Sequence, residues 1–449
     1  MIVVGAAVGA GLLFVVAYGL FAWREQWRTW VAAAFSLAGL GLAASAGEIP
    51  WSGVGVCQIF GYRPPGSPWG LCPSSGYVEW DTLGLLLGLF ALTQLLAEQG
   101  IFQRLAWRIA IGSRGRTWVL FAGLSLATFA LSAFVNSITV MLVMAAVTLE
   151  ICRNLGRSPL PYLMAEISAS NAGGAATFVG DPPNVILGTY FGLSFNDFLA
   201  HAAPLALAGF VTTLLGFWLW HRRDLRRSPA PRVVPRTGSA LPPLKGRAAA
   251  YAVFAFALTL GLLVINPLIP PSVGEIGLAG FALAILGAGR KGWRRLLKDV
   301  DWGTLGFFFF LFLLVGSLEA TGDIGQLAQG ISRIGGTNAL LTGSLLLWLL
   351  GLLSSVIDNV PLAATAAPLI GTLHAHSGIP IRSLVYPTAV GVDIGGNGTP
   401  IGATANVVGL AVARQQGSPI SWRTYVAEAF PIMVAALASA NLMLFLLLR

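Results

Sequence analysis

Two polar, glycine-rich stretches interrupt otherwise apolar sequence and decide the fold. Residues 169–184 read ASNAGGAATFVGDPPN, and residues 393–406 read DIGGNGTPIGATAN. Glycine and proline release backbone N–H and C=O groups from a helix, and hydrocarbon cannot satisfy those groups. Within a membrane such a break is tolerated only where protein or a water-filled cavity surrounds it. Each stretch therefore predicts a broken helix that lines an internal polar site.

The composition is that of a membrane protein. Of the 449 residues, 56% are hydrophobic and only 10% are charged, whereas soluble domains carry about 25% charged residues. The mean hydropathy is +0.76. A spanning helix needs roughly 20 apolar residues, and residues 2–21, 248–265, 302–318 and 432–448 are runs of this kind. There is room for about ten or eleven such segments, which predicts an all-α polytopic membrane protein.

The basic residues are grouped in loops between the apolar segments. The formal net charge is +9, and 23 of the 27 lysines and arginines fall in six such groups. Short loops rich in Lys and Arg stay in the cytoplasm, so the charge indicates topology and not a nucleic-acid partner. The first apolar run has no basic stretch before it, which indicates a first span and not a signal peptide. We expect a multi-pass protein of the inner (plasma) membrane with its N-terminus outside.

Two segments are too short for the topology that the charges require. Residues 118–151 lie between two cytoplasmic groups, and residues 338–376 lie between two outside segments. At about 1.5 Å per residue, neither stretch provides two full spans. They predict two re-entrant hairpins that enter from opposite sides, which is the pattern of an inverted repeat in secondary transporters.

A single register shift of 222 residues (395 − 173) along the chain supports the repeat. It places residues 132–136 on residues 354–358, which are the two predicted hairpin tips. The same shift places Gly173, Gly174, Thr177, Gly180 and Asn184 on Gly395, Gly396, Thr399, Gly402 and Asn406. This one shift, called the repeat offset below, thus aligns both the tips and the breaks.

Five regions follow from these patterns. They are N-terminal spans (1–50), a periplasmic loop (51–78), a first repeat (79–220), a cytoplasmic linker (221–247) and a second repeat (248–449). Cys57 and Cys72 lie in the periplasmic loop, where an oxidising compartment would allow a disulfide. The alternative, two unpaired thiols, stays open.

Acidic residues inside apolar segments are candidates for function, because a charge in the membrane is costly. Asp358, at a hairpin tip, is the strongest candidate, and Asp393 follows because it precedes a Gly-Gly break. Asp181 precedes two prolines, so it can act in coupling or simply cap a helix. Glu166 and Glu428 can be functional or can make contacts between helices. No metal-ligand cluster, nucleophile–base pair or phosphate-binding loop is present in the sequence, which predicts no cofactor and no enzyme.

At these motifs the chain resembles the ion-transporter superfamily. It is most similar to the branch with arsenite permeases, the melanosomal P protein and plant silicon efflux carriers, which has a citrate-transporter-like domain. Dicarboxylate/sodium symporters are more distant relatives. The resemblance implies an elevator-type homodimer in the lipid bilayer, with both hairpins and both broken helices in the moving domain.

The resemblance also implies which residues bind substrate and ion. In the first half they are Asn136, Ser137, Thr139, Asn171, Gly173, Gly174, Thr177, Asp181 and Asn184. In the second half they are Asp358, Asn359, Asp393, Gly395, Gly396, Asn397, Thr399 and Asn406. The coupling ion would be H⁺ or Na⁺, with sodium at the two hairpin tips. Many relatives have an Asp-Asn pair at the first tip, whereas this chain has Asn136-Ser137, so its two halves are chemically unequal.

The function that these features predict, and that the resemblance implies, is secondary active transport. The leading hypothesis is efflux of a small inorganic oxyacid or anion, arsenite or silicic acid, coupled to proton or sodium influx through Asp358. A sodium-coupled dicarboxylate or anion symporter is an alternative, although no arginine in the motifs could clamp a carboxylate. A sodium/proton antiporter is another. Opposed hairpins favour alternating access over a channel.

Overall fold

The computed structural model describes residues 2–23, 27–47, 49, 59, 76–226 and 246–448. Within these ranges the chain is all helical and no strand is assigned. Cys57 and Cys72, most of the predicted periplasmic loop and most of the predicted linker lie outside the described residues. The predicted all-α class is confirmed.

The helices of the first half lie before the linker. They are α1 (Ile2–Trp23), α2 (Arg28–Ser45), α3 (Trp80–Ala97), α4 (Ile101–Gly112), α5 (Thr117–Ser132), α6 (Ser137–Asn154), α7 (Leu160–Gly174), α8 (Pro182–Tyr190) and α9 (Phe195–Trp220). A single helical turn, Arg222–Leu225, follows α9.

The helices of the second half follow the linker. They are α10 (Gly246–Ile265), α11 (Val273–Asp299), α12 (Trp302–Ala320), α13 (Asp323–Gly335), α14 (Ala339–Ser354), α15 (Asn359–Ser377), α16 (Ile381–Gly395), α17 (Thr404–Gln415) and α18 (Trp422–Leu447). Two 3₁₀ turns, Asn266–Leu268 and Gly396–Gly398, lie between them.

Helix boundaries recur at the repeat offset. The helices α3, α5, α6 and α8 begin at positions 80, 117, 137 and 182, and the same shift leads to positions 302, 339, 359 and 404, where α12, α14, α15 and α17 begin. The last pair departs from this spacing, since α9 begins at position 195 and α18 begins at position 422, later than the offset predicts. The offset therefore extends from single residues to whole elements.

Of the described helices, seven are long and apolar enough to cross a membrane by length and composition. They are α3, α6, α9, α10, the first part of α11, α12 and α18. The chain turns between α5 and α6, at the tip predicted from the sequence. Because α6 has 18 residues and is one of the seven, length alone does not require this pair to turn back inside the membrane. The re-entrant path stays a prediction.

The two broken helices lie at the centre of the fold. Every residue from 161 to 188 is buried, and so is every residue from 384 to 400. A helix that is buried on all sides is surrounded by other helices. The helix α5 packs against α7, and α14 packs against α16, while α6 lies against α17 and α15 against α8. Each hairpin's second helix therefore contacts the broken helix of the other half.

Glycines permit these close crossings. A Cβ added at Gly173 would lie 2.9 Å from the carbonyl carbon of Phe129 on α5. At Gly395 it would lie 2.5 Å from the carbonyl carbon of Gly351 on α14. Both pairs are related by the repeat offset, so backbone meets backbone at equivalent places in the two halves.

Candidate functional site

Both predicted breaks are present at the predicted residues. The helix α7 ends at Gly174 and α8 begins at Pro182, while α16 ends at Gly395 and α17 begins at Thr404. Residues 175–181, between α7 and α8, belong to no helix, and between α16 and α17 only a 3₁₀ turn forms. The breaks therefore release backbone groups in the buried centre of the molecule.

In each half, a threonine of the break donates a hydrogen bond to the neighbouring hairpin tip. The hydroxyl of Thr177 donates to the carbonyl oxygen of Ala133. The hydroxyl of Thr399 donates to the carbonyl oxygen of Ser355, and this pair is related to the first by the repeat offset. Tip and break are therefore held together in each half.

In each half, one asparagine side-chain amide donates hydrogen bonds to two carbonyl oxygens of the break. The Nδ2 of Asn184 donates to the carbonyl oxygens of Gly174 at 3.0 Å and of Thr177 at 2.7 Å. The Nδ2 of Asn406 donates to those of Gly396 at 2.8 Å and Thr399 at 2.9 Å. These contacts satisfy carbonyls that the broken helices release, which hydrocarbon could not do.

Asn171 links the two halves. From α7 its Nδ2 donates to the Oδ1 of Asn397 at 2.8 Å and to the Oδ1 of Asn406 at 2.9 Å. All three residues are buried. The amide therefore holds the first break against the second.

We expect Asn171→Ala to lower the free energy of unfolding by about 3 kcal/mol, because it leaves two buried acceptors unpaired and each costs about 1–3 kcal/mol. Thermal or denaturant unfolding in detergent measures the effect. Asn196→Ala is the matched control, because it removes one exposed hydrogen bond to the carbonyl oxygen of Val264. An equal loss in both variants would contradict a special role for Asn171.

A pair of carboxylates meets at the second hairpin tip. The Nδ2 of Asn359 donates to the Oδ2 of Asp181 at 3.3 Å and to the Oδ1 of Asp393 at 3.0 Å. The hydroxyl of Ser137, at the first tip, donates to the Oδ1 of Asp181 at 2.5 Å. Both aspartates are buried, with exposed fractions of 4% and 0%. The structure thus brings one carboxylate from each break to one amide.

Asp358 does not share the amide of Asn359 and has hydrogen-bond partners of its own. Its Oδ1 accepts from the N–H of Val360 at 3.0 Å and so caps α15, while its Oδ2 accepts from the hydroxyl of Thr404 at 2.9 Å. Asn136 caps α6 in the same way, through the N–H of Ile138. Asp181 precedes α8 but makes no cap hydrogen bond with its side chain. The sequence allowed a helix-capping role for Asp181, but in the structure it is the side chain of Asp358 that caps a helix.

The remaining predicted residues have other surroundings. Thr139 is half-buried on α6 and takes no part in the hydrogen bonds around the two carboxylates. A Cβ at Gly174 would lie 2.9 Å from the Cβ of Asp181, and a Cβ at Gly396 would lie 3.0 Å from the carbonyl oxygen of Gly402. These glycines keep the breaks compact. Sequence reasoning missed Thr404, although it lies in the second motif and begins α17.

Three buried oxygens near the breaks have no hydrogen-bond partner within the described part of the chain. They are the Oδ1 of Asn171, the Oδ1 of Asn184 and the Oδ2 of Asp393. A buried polar atom without a partner is unusual in a native structure. Oxygens of this kind are suitable ligands for Na⁺, and the carboxyl oxygen can also take up a proton.

Glu166 and Glu428 make contacts away from the paired carboxylates. The Oε1 of Glu166 accepts from the hydroxyl of Thr148 on α6 at 2.7 Å. Glu428 on α18 lies 2.8 Å from the Nε2 of His221, just after α9. Both glutamates are buried. The interhelical contacts considered for them from the sequence are present.

A cavity of about 640 Å³ lies beside the broken helices. Its lining includes Thr189 and Tyr190 of α8, Pro368 of α15, Glu319 of α12 and Glu79. Among its described lining residues there is no Lys or Arg. Sequence reasoning missed both glutamates because they lie at helix ends, outside the repeated motifs.

Broken helices that meet at buried polar residues are typical of secondary transporters. The comparison with known families agrees: the model described as citrate transporter (CitMHS) matches residues 18–386. The chain belongs to this family of secondary transporters, and it is not an enzyme.

Similar proteins are transporters or membrane proteins. The 46 kDa membrane protein of Mycobacterium leprae is 36% identical over 383 residues, which cover 82% of this chain and 86% of that one. An uncharacterized transporter of Mycobacterium tuberculosis is 34% identical over 387 residues with the same coverage. The human P protein is 30% identical over 477 residues, covering 88% of this chain and 56% of that protein. The resemblance predicted from the motifs is confirmed.

The fold is similar to that of a solved transporter. The YdaH transporter of Alcanivorax borkumensis aligns with a TM-score of 0.61 and 15% identity, covering 94% of this chain and 98% of that one. At this identity the likeness concerns the fold alone.

Proposed function

We propose that this protein is a secondary active transporter that exports a small inorganic oxyacid, with arsenite or silicic acid as the candidates, against proton or sodium influx. The observation that carries the proposal is the pair Asp181 and Asp393, bridged by the amide of Asn359. Within the described residues no Lys or Arg takes part in these contacts or lines the adjacent cavity. Such a site favours a cation together with an uncharged substrate, and both candidate acids are largely undissociated near neutral pH.

The carboxylate pair supplies the coupling. Two like charges that share one amide donor repel each other, and uptake of a proton or a cation by either relieves the repulsion. The Oδ2 of Asp393 and the Oδ1 of Asn184 have no other partner in the described structure. They provide ligands for the coupling ion beside the pair.

The packing suggests which helices move together during transport. Threonine contacts join each tip to its break, and Asn171 joins the two breaks. We infer that α5–α8 and α14–α17 form one rigid transport unit that moves against α3, α10, α11 and α12. The recurrence of helix boundaries at the repeat offset supports an inverted repeat, and an elevator-type homodimer with its N-terminus outside completes the proposal.

Sodium-coupled transport of citrate or a dicarboxylate is the second candidate. The description of the matching family favours it. Since the described cavity lining carries Glu79 and Glu319 and no basic residue, a polyanion would need bound cations to offset its charge. Hydroxyls and helix N-termini would then hold its oxygens.

Flux into proteoliposomes distinguishes these functions. Purified protein is reconstituted, and movement of arsenite, silicic acid, citrate and succinate is followed under an imposed pH gradient or an imposed sodium gradient. We expect saturable, gradient-driven flux of an oxyacid and none of citrate or succinate. Carboxylate transport driven by sodium would replace the leading proposal with the second. Flux that neither saturates nor responds to a gradient would reject both.

A further inference from the structure

A second cavity of about 640 Å³ lies between α5 and α9, and its lining contains no residue of the two helix breaks. Its apolar lining includes Trp118, Phe121, Ala122, Leu214, Leu215 and Trp218. Trp118 and Leu215 are more than half exposed, at 56% and 52%. In a membrane-embedded protein, apolar side chains exposed in this way face lipid hydrocarbon.

Two arginines line the same cavity at one end. Arg116 immediately precedes α5, and Arg226 follows the helical turn after α9. The hydroxyl of Thr117 donates to the carbonyl oxygen of Leu225, which holds the two arginine-bearing segments together. Arg116 belongs to the basic group at residues 104–116 and Arg226 to the one at residues 222–247, and the charge pattern assigns both groups to the cytoplasm.

Neither guanidinium is neutralised within the described part of the chain. Neither Arg116 nor Arg226 makes an ion pair there. The guanidinium of Arg226 lies 5.7 Å from the ring centroid of Trp218, and so it is oriented over the apolar groove. Both arginine side chains are exposed. The groove thus combines an apolar channel with two uncompensated positive charges at one end.

We propose that this groove is a binding site for an anionic phospholipid. The phosphate lies at Arg116 and Arg226, and an acyl chain lies along Phe121, Leu214 and Trp218. Basic pockets between membrane helices on the cytoplasmic side bind anionic head groups, and the volume is within the range of about 300–1,000 Å³ for ligand sites. A zwitterionic lipid also carries a phosphate, but its cationic head group would bring a further positive charge to the two arginines. The inference depends only on membrane embedding and not on the transported substrate.

Lipid binding to delipidated protein tests the site. Phosphatidylglycerol, phosphatidylcholine and inorganic phosphate are added separately, and bound lipid is counted by native mass spectrometry while thermal unfolding is followed. We expect tight binding of phosphatidylglycerol, with a raised unfolding temperature, and no effect of phosphate alone. Equal retention of both lipids, or equal stabilisation by phosphate, would overturn the proposal.

Substitutions in the groove test whether phosphatidylglycerol binds there. Arg116→Gln with Arg226→Gln should weaken phosphatidylglycerol binding by about 30-fold, since each basic residue near an anionic lipid contributes roughly a factor of five. Ala122→Trp should block the groove without changing any charge. The double variant Arg222→Gln and Arg223→Gln is the matched control, because these exposed arginines on the neighbouring turn do not line the cavity. Equal losses in the control and test variants would reject the site.

Discussion

Asp393→Asn is expected to reduce gradient-driven transport by about 100-fold, within the range of a coupling energy of about 1–3 kcal/mol. Asparagine keeps the shape of the side chain and its contact with Asn359. It cannot bind a proton or carry the negative charge that attracts a cation. Initial flux in proteoliposomes, with and without an imposed gradient, measures the loss.

Two further variants make this test decisive. Asp181→Asn should cause a similar loss, because Asp181 contacts the same amide. Asp358→Asn should retain coupling, since asparagine caps a helix about as well as aspartate and Asp358 acts as the cap of α15. Loss of coupling in Asp358→Asn with normal coupling in Asp393→Asn would support the sequence-based assignment of coupling to Asp358 instead. Unfolding temperatures of all three variants show whether any loss reflects folding.

Gly395→Ala is expected to lower the free energy of unfolding by about 3 kcal/mol, at the upper end of the range for an overpacked core. The new methyl group would lie 2.5 Å from the carbonyl carbon of Gly351 and 2.6 Å from its Cα. Both are backbone atoms and cannot rotate away, so α14 and α16 must separate. Transport should fall with stability, because this crossing positions the nearby Asp393. Unfolding in detergent and flux are both measured.

Gly261→Ala provides the control for that substitution. Gly261 is also a helical glycine, on α10, and a Cβ there would meet nothing within 4 Å. Alanine should therefore leave stability unchanged or raise it by up to about 1 kcal/mol through helix propensity. A Gly395→Ala protein as stable as Gly261→Ala would show that the close crossing is absent.

Much of the fold could be predicted from the sequence, because its signals are local. Apolar runs predict helices, and glycine with proline predicts the breaks after Gly174 and Gly395, where the helices do end. The repeat offset also pairs Thr177 with Thr399, and these two residues make equivalent contacts in the structure. These features depend on backbone chemistry within a few residues, so no knowledge of the packing was needed.

The partners that each polar side chain contacts could not be predicted in this way. Asp358 and Asp181 were both candidates for coupling, and only the packing shows that the first caps a helix while the second shares an amide with Asp393. Asn184 and Asn406 were predicted to bind substrate or ion, and the packing adds that their side-chain nitrogens hydrogen-bond to carbonyl oxygens of the breaks. A side chain's partners depend on helices distant in the chain, which one-dimensional spacing does not specify.

The sequence by itself determined the membrane class, the family motifs and the positions of both helix breaks, since composition and glycine placement act locally. Only the tertiary structure decided which two carboxylates meet. Asp181 and Asp393 lie in opposite halves of the chain, and the amide of Asn359 joins them because the two halves pack with their breaks in contact. Burial at that junction makes the pair a candidate site, and burial is a property of the assembled fold.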